Sequence, residues 1–139
     1  MPYTTEHFNL ITDPKLACQC VNHWGAAVPF FDYDPEFLDK MELLRILVGF
    51  GLAVTSGTRC KAHNYDISHR SFGEHIAIPG TKQTTAMDTA CTDNRKRLEL
   101  NKAWILDSRL RDYFQGTYFS RTFIHWAKGP AGWGLGIGS

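Results

Sequence analysis

The sequence is short of several things, and each shortage removes a class of function. No apolar run approaches the length of a membrane-spanning helix. Excess charge is absent: 15 Lys and Arg stand against 14 Asp and Glu, a formal charge of +1, with no long basic run. That balance argues against nucleic acid or an anionic membrane as the main partner. There is no internal repeat and no low-complexity linker. The first residues, Met1-Pro2-Tyr3-Thr4-Thr5-Glu6-His7, lack the positive start and apolar stretch of a secretory signal. The expectation is synthesis in a cytoplasm, with release by other means if the protein acts elsewhere. Cysteine is sparse: Cys18, Cys20, Cys60 and Cys91 fit no standard zinc-finger spacing. Reduced core thiols, one or two disulfides and a four-thiolate structural metal all stay open, and a reducing cytoplasm disfavours the disulfides.

What is present is enough for one folded unit. The 139 residues suit a single domain spanning 1–139, and a hydrophobic share of 43% supports a core. Residues 1–33 are aromatic-rich, with turn signals at Asp13-Pro14 and Gly25, and read as a wrapping segment with little regular structure. Asp34-Pro35 is a helix start, an acidic cap followed by proline at the first helical position. Phe37, Met41, Leu44 and Val48 recur at helical spacing, and Gly49 and Gly51 end the run. Leu52 to Thr55 reads as a buried strand, 56–85 as a long polar loop and Ala86 to Cys91 as a second strand. Asp93 or Asn94 caps a helix predicted to run to about Phe114, with Leu98, Ile105 or Leu106, and Leu110 inward. Tyr118 to Trp126 alternates and reads as one strand, placing Phe123, His125 and Ala127 on one face and Trp126 on the other. The expected class is α+β, a small antiparallel sheet with flanking helices.

Several residues occur in a telling order: Ser56-Gly57-Thr58-Arg59-Cys60, His63-Asn64, His75, Ala86-Met87-Asp88, then Phe123-Ile124-His125. This order resembles the M15 zinc peptidases, the D-Ala-D-Ala carboxypeptidase-like group that shares a fold with the hedgehog signalling domain and includes phage endolysins. Asp34 to Gly49 resembles the helix before the family's serine-glycine-x-arginine turn. The Cys18-Gln19-Cys20 segment and Gly129-Pro130-Ala131-Gly132-Trp133 resemble the opening and closing segments of phage-type members.

The resemblance implies a Zn²⁺ ion held by His75, which lies eleven residues after Asn64, with Asp88 and His125. Two imidazoles and one carboxylate leave a fourth position open for water, as catalytic zinc sites do. It also implies that Arg59 binds or polarises substrate, with Ser56 and Trp133 beside it in the substrate site. The implied substrate is a peptidoglycan peptide, cut at the bacterial cell wall or from within a phage particle. Three departures stand out. The loop Ile76 to Met87 is longer than the family's by an insertion containing Pro79 and Gly80, although Asp88 is the one carboxylate between Glu74 and Asp93. Gly73 replaces a serine. Thr122 and Ala127 occupy the places near the last histidine where the family has an acidic base. Replacement bases are Glu74, His69 or His23. Two readings follow: an active zinc peptidase, or a zinc-binding module or virion component of the same fold that has lost turnover.

Overall fold

A computed structural model of the protein describes residues 3–11, 13–19, 30–69 and 73–129. Chain order gives α1 (Pro35–Val48), β1 (Ala53–Ser56), α2 (Lys61–Ser68), β2 (Ala86–Ala90), α3 (Asn94–Leu106), α4 (Ser108–Arg111), β3 (Tyr118–Phe119) and β4 (Phe123–Ala127), preceded by a 3-10 turn at Pro14–Leu16. The class is α+β, with a four-stranded antiparallel sheet in the order β1-β2-β4-β3.

Helix α1 forms as its ends dictate. The Asp34 carboxylate accepts the Glu36 amide proton, Pro35 opens the first turn, and Gly49 closes the helix at φ +77°. Its inward stripe is Phe37, Leu38, Met41 and Leu44. The stripe packs on Leu100, Leu110, Phe114 and the core face of the sheet, which presents Met87, Ile124 and Trp126. Period-two alternation then turns Asp88 and His125 to the opposite face, away from α1 and α3. The Trp126 Nε1–H donates to Thr89 Oγ1 (3.0 Å), which ties β4 to β2 on the core side.

Three sequence expectations are corrected. The stretch 56–85 is not all loop, because α2 lies within it. Only Asn64 of α2 is buried, so no apolar stripe announces the helix, and its N-cap is the sulfur of Cys60 in place of an oxygen. The helix expected to reach Phe114 breaks at Asp107, whose backbone is extended and whose carboxylate caps α4. Leu98, Ile105 and Leu106 are exposed, and the inward side chains are Leu100, Ala103, Trp104 and Leu110. The single strand expected from Tyr118 to Trp126 is a hairpin, closed by the Ser120 amide donating to the Phe123 carbonyl (2.9 Å). Tyr118 pairs with His125 across it. No helix among the described residues is long and apolar enough to cross a membrane.

Candidate metal centre

Asp88 sits on the central strand β2, with Ser56 of β1 opposite on one side and His125 of β4 opposite on the other. Directly paired residues on one face bring their side chains together. The ladder therefore fixes Asp88 beside His125, and His125 Nδ1 lies 2.8 Å from Asp88 Oδ1. His75 comes from outside the sheet. Its segment runs alongside residues 58–60: the Arg59 amide donates to the His75 carbonyl (2.8 Å) and the Ala77 amide to the Arg59 carbonyl (3.0 Å). The His75 ring is oriented by Nδ1, which donates to the Gly57 carbonyl (2.8 Å). That bond puts the proton on Nδ1 and leaves Nε2 with a bare lone pair.

Nε2 of His75 points at Asp88 Oδ1 from 3.4 Å, and the two imidazole centroids are 5.2 Å apart. One ligand atom from each of His75, Asp88 and His125 lies within 4.8 Å of the others. These three buried residues can hold a metal ion. Nε2 of His75 is fully buried and has no hydrogen-bond partner. An orphaned buried acceptor is costly, on the order of 1–3 kcal/mol, and a cation in the same position would satisfy it. Burial lowers the His75 pKa, further offset by Asp88 only in part, and so favours the neutral imidazole that ligates metals. Burial pushes the Asp88 carboxyl upward, yet the hydrogen bond with His125 and the close approach of both imidazoles outweigh it and hold the group well below the usual carboxylate range. The neutral His75 imidazole and the ionised Asp88 carboxylate suit a divalent cation.

Arg59 borders the cluster. Its Nη2 lies 3.6 Å from Asp88 Oδ2, Nε donates to Ser56 Oγ (3.1 Å) and Nη1 donates to Asn64 Oδ1 (3.2 Å). Burial lowers the Arg59 pKa and the nearby Asp88 charge opposes that shift. Asp88 and Arg59 retain 8% and 7% exposure, while His75 and His125 retain 0% and 1%. Solvent thus reaches the cluster from the Asp88–Arg59 side. Tyr118 stacks on the His125 ring, with centroids 4.8 Å apart and planes 24° from parallel. The groove between α1 and α3, lined by Leu47, Val48, Ala103 and Leu106, shares no residue with the cluster.

Among the residues singled out from sequence, His75, Asp88, His125 and Arg59 converge. Ser56 supports the Arg59 guanidinium. Trp133 and His23 lie outside the described residues. His69 is exposed, ends α2 at φ +59° and packs edge-on against Tyr65. Thr122 is exposed in the hairpin turn and Ala127 is fully buried. Glu74 is buried. Its Oε1 accepts from the Gly129 amide (2.6 Å) and Thr85 Oγ1 (3.2 Å), and its Oε2 is buried without a partner. A Cβ placed on Gly116 would meet Glu74 Oε2 at 3.0 Å and the Ala127 Cβ at 3.2 Å. The carboxylate therefore reaches the space beside Ala127. Burial raises its pKa, against the hydrogen bonds from Gly129 and Thr85 and the nearby His125.

Two contributors escaped the sequence reading as contributors. Asn64 fixes the guanidinium of Arg59 from a helix with no apolar stripe, and Tyr118 stacks on His125 only because of an unforeseen hairpin. A second His and carboxylate group, Glu6, His7 and Glu42, is partly exposed and fastens the N-terminal segment to α1 through the His7–Glu42 pair. Comparisons with protein-family models, curated proteins and solved structures return no match.

Proposed function

We propose that the protein is a zinc-dependent peptidase acting on peptidoglycan peptides. The observation that carries this reading is the buried, partnerless His75 Nε2 aimed at a carboxylate shared with His125, with an arginine at the solvent side. His75, Asp88 and His125 would hold the ion. When bound, Zn²⁺ supplies a Lewis acid that polarises a carbonyl and brings the pKa of water from about 15.7 towards 7. Arg59, held by Ser56 and Asn64, binds a substrate carboxylate or takes up charge developing on the carbonyl oxygen. Glu74, whose Oε2 is buried without a partner beside Ala127, is the acid that would take up the proton of an attacking water. Positioned bases of this kind contribute on the order of 10²–10⁴-fold.

A second reading rests on Ala127 and Thr122. With no acid on β4 beside His125, the protein would be a zinc-binding module or virion component without turnover. Incubation of the purified protein with peptidoglycan, with and without a chelator, separates the two. Chelator-sensitive release of peptides, abolished in Arg59→Ala, supports the peptidase. Zinc retained with no release under any condition supports the module.

A further inference from the structure

Helix α3 carries apolar side chains on two sides. Leu100 points into the core, with Ala103 and Trp104 packed beside it. Yet Leu98, Ile105 and Leu106 stand 56%, 43% and 75% exposed. Spacings of seven and eight residues put Ile105 and Leu106 on the same side of the helix as Leu98. Leu47, near the end of α1 and 46% exposed, lines the groove between the two helices together with Leu106. Single exposed leucines are ordinary, but these four make a ridge and the groove beside it, a patch that usually marks an interaction surface. Between Leu98 and Ile105 the only charges are Glu99 and Lys102. Both line the same groove, and they pair with each other at 3.7 Å while about half exposed.

We infer that this face of α1 and α3 seats a second copy of the chain, in a twofold dimer whose α3 helices pair antiparallel. The pattern of charge and apolar side chains selects a copy over a different partner. A twofold interface brings one patch against itself, so the patch must be self-complementary. Glu99 and Lys102 have opposite signs one turn apart and sum to zero. With the axis at Lys102, the partner's Glu99 lies about 4.5 Å along the helix from Lys102, and the reverse holds equally. Four charges then alternate in sign around the axis. The same axis aligns the leucines. Leu98 and Leu106 lie four residues on either side of Lys102, so Leu98 comes level with the partner's Leu106 at both ends. One axis therefore satisfies both the ion pairs and the apolar contacts.

Helix α3 is about 20 Å long, so the contact belongs at the small end of specific interfaces and the dimer forms reversibly with concentration. The His75, Asp88 and His125 cluster is on the other face of the sheet from these helices, so pairing leaves it open. The inference does not depend on the peptidase reading.

The test follows the mass of the full chain by analytical sedimentation from about 1 μM to about 1 mM, with a reducing agent present so that disulfides contribute nothing. The average mass should climb from that of one chain towards that of two. Leu106→Glu should weaken association roughly tenfold or more, because it sets a carboxylate against the partner's Leu98. Leu106 is exposed enough for this variant to fold, which an unchanged Tm verifies. Ile67→Glu, on the exposed side of α2, should leave association unchanged. Glu99→Lys makes all four charges positive and should also weaken the dimer roughly tenfold. Combining it with Lys102→Glu restores the alternation and should bring the dissociation constant back to within about threefold of wild type. A single-chain mass over the whole range would overturn the inference and leave this face to a different partner. A dimer that Leu106→Glu leaves intact, or that the charge exchange fails to restore, would overturn it as well.

Discussion

Gly57→Ala should be among the most damaging single methyl additions in this chain. A Cβ at Gly57 would lie 2.0 Å from the Tyr33 hydroxyl oxygen and 2.6 Å from the Leu16 carbonyl oxygen. One neighbour is backbone and the other is the tip of a ring that is 1% exposed, so neither retreats easily. The Tyr33 hydroxyl donates to the Leu16 carbonyl (2.9 Å) and accepts from the Thr58 amide (3.0 Å). Losing those two bonds costs about 1 kcal/mol each, and forcing a group into a packed site adds roughly 1–3 kcal/mol. The expected loss is about 3–5 kcal/mol, which corresponds to a drop in Tm on the order of 10–20 °C for a chain of this size. Urea unfolding of the metal-free protein, with chelator present, is the direct assay. Gly51→Ala is the control, since nothing lies within 4 Å of its Cβ position, and it should stay within about 0.5 kcal/mol of wild type. The Gly57 carbonyl also orients His75, so zinc affinity in any folded Gly57→Ala protein should fall by roughly 10–100-fold. A variant as stable as Gly51→Ala would refute the close packing of this turn against the N-terminal segment.

Three further outcomes are expected. Arg59→Lys should keep the bound metal yet lower peptide release on the order of 10²-fold, because a lysine cannot hold Ser56 and Asn64 while presenting a planar fork; equal release would remove Arg59 from the mechanism. Glu74→Gln should lower release by about 10²–10⁴-fold with zinc content unchanged. The same variant has a signature in stability. Burial raises the Glu74 pKa in the folded state, so the folded protein binds the proton more tightly than the unfolded chain and wild-type stability falls as pH rises through the ordinary carboxylate range. Glutamine cannot ionise, so its stability relative to wild type should rise across that window; a pH-independent difference in Tm between the two would contradict the buried placement.

How far the sequence revealed the site follows from what kind of signal each residue carries. Asp34, Pro35 and Gly49 act through their own backbone chemistry, so the limits of α1 were readable. Alternation on β4 correctly put Trp126 in the core and His125 on the other face. The order of His75, Asp88 and His125 suggested a shared ion, and the register Asp88↔His125 supplies the contact that order alone could not. Helix α2 was missed because its contacts are polar: Asn64 reaches Arg59, and the Cys60 sulfur serves as the cap. The break at Asp107 was missed because Leu98, Ile105 and Leu106 keep an apolar pattern while facing solvent. From sequence, Glu74 stands among the replacement bases by its acidity and its place next to His75. Its approach to the Ala127 region depends on Gly116 and Gly129, which meet it through the fold.

The central claim is that three side chains from a loop and two paired strands share one cation. Crystals grown with zinc and measured at the zinc absorption edge test it directly. An anomalous peak at about 2.0–2.2 Å from His75 Nε2, an Asp88 carboxylate oxygen and His125 Nδ1 is the predicted result. A map with no peak between those three residues, in crystals soaked to saturation at neutral pH, would contradict it.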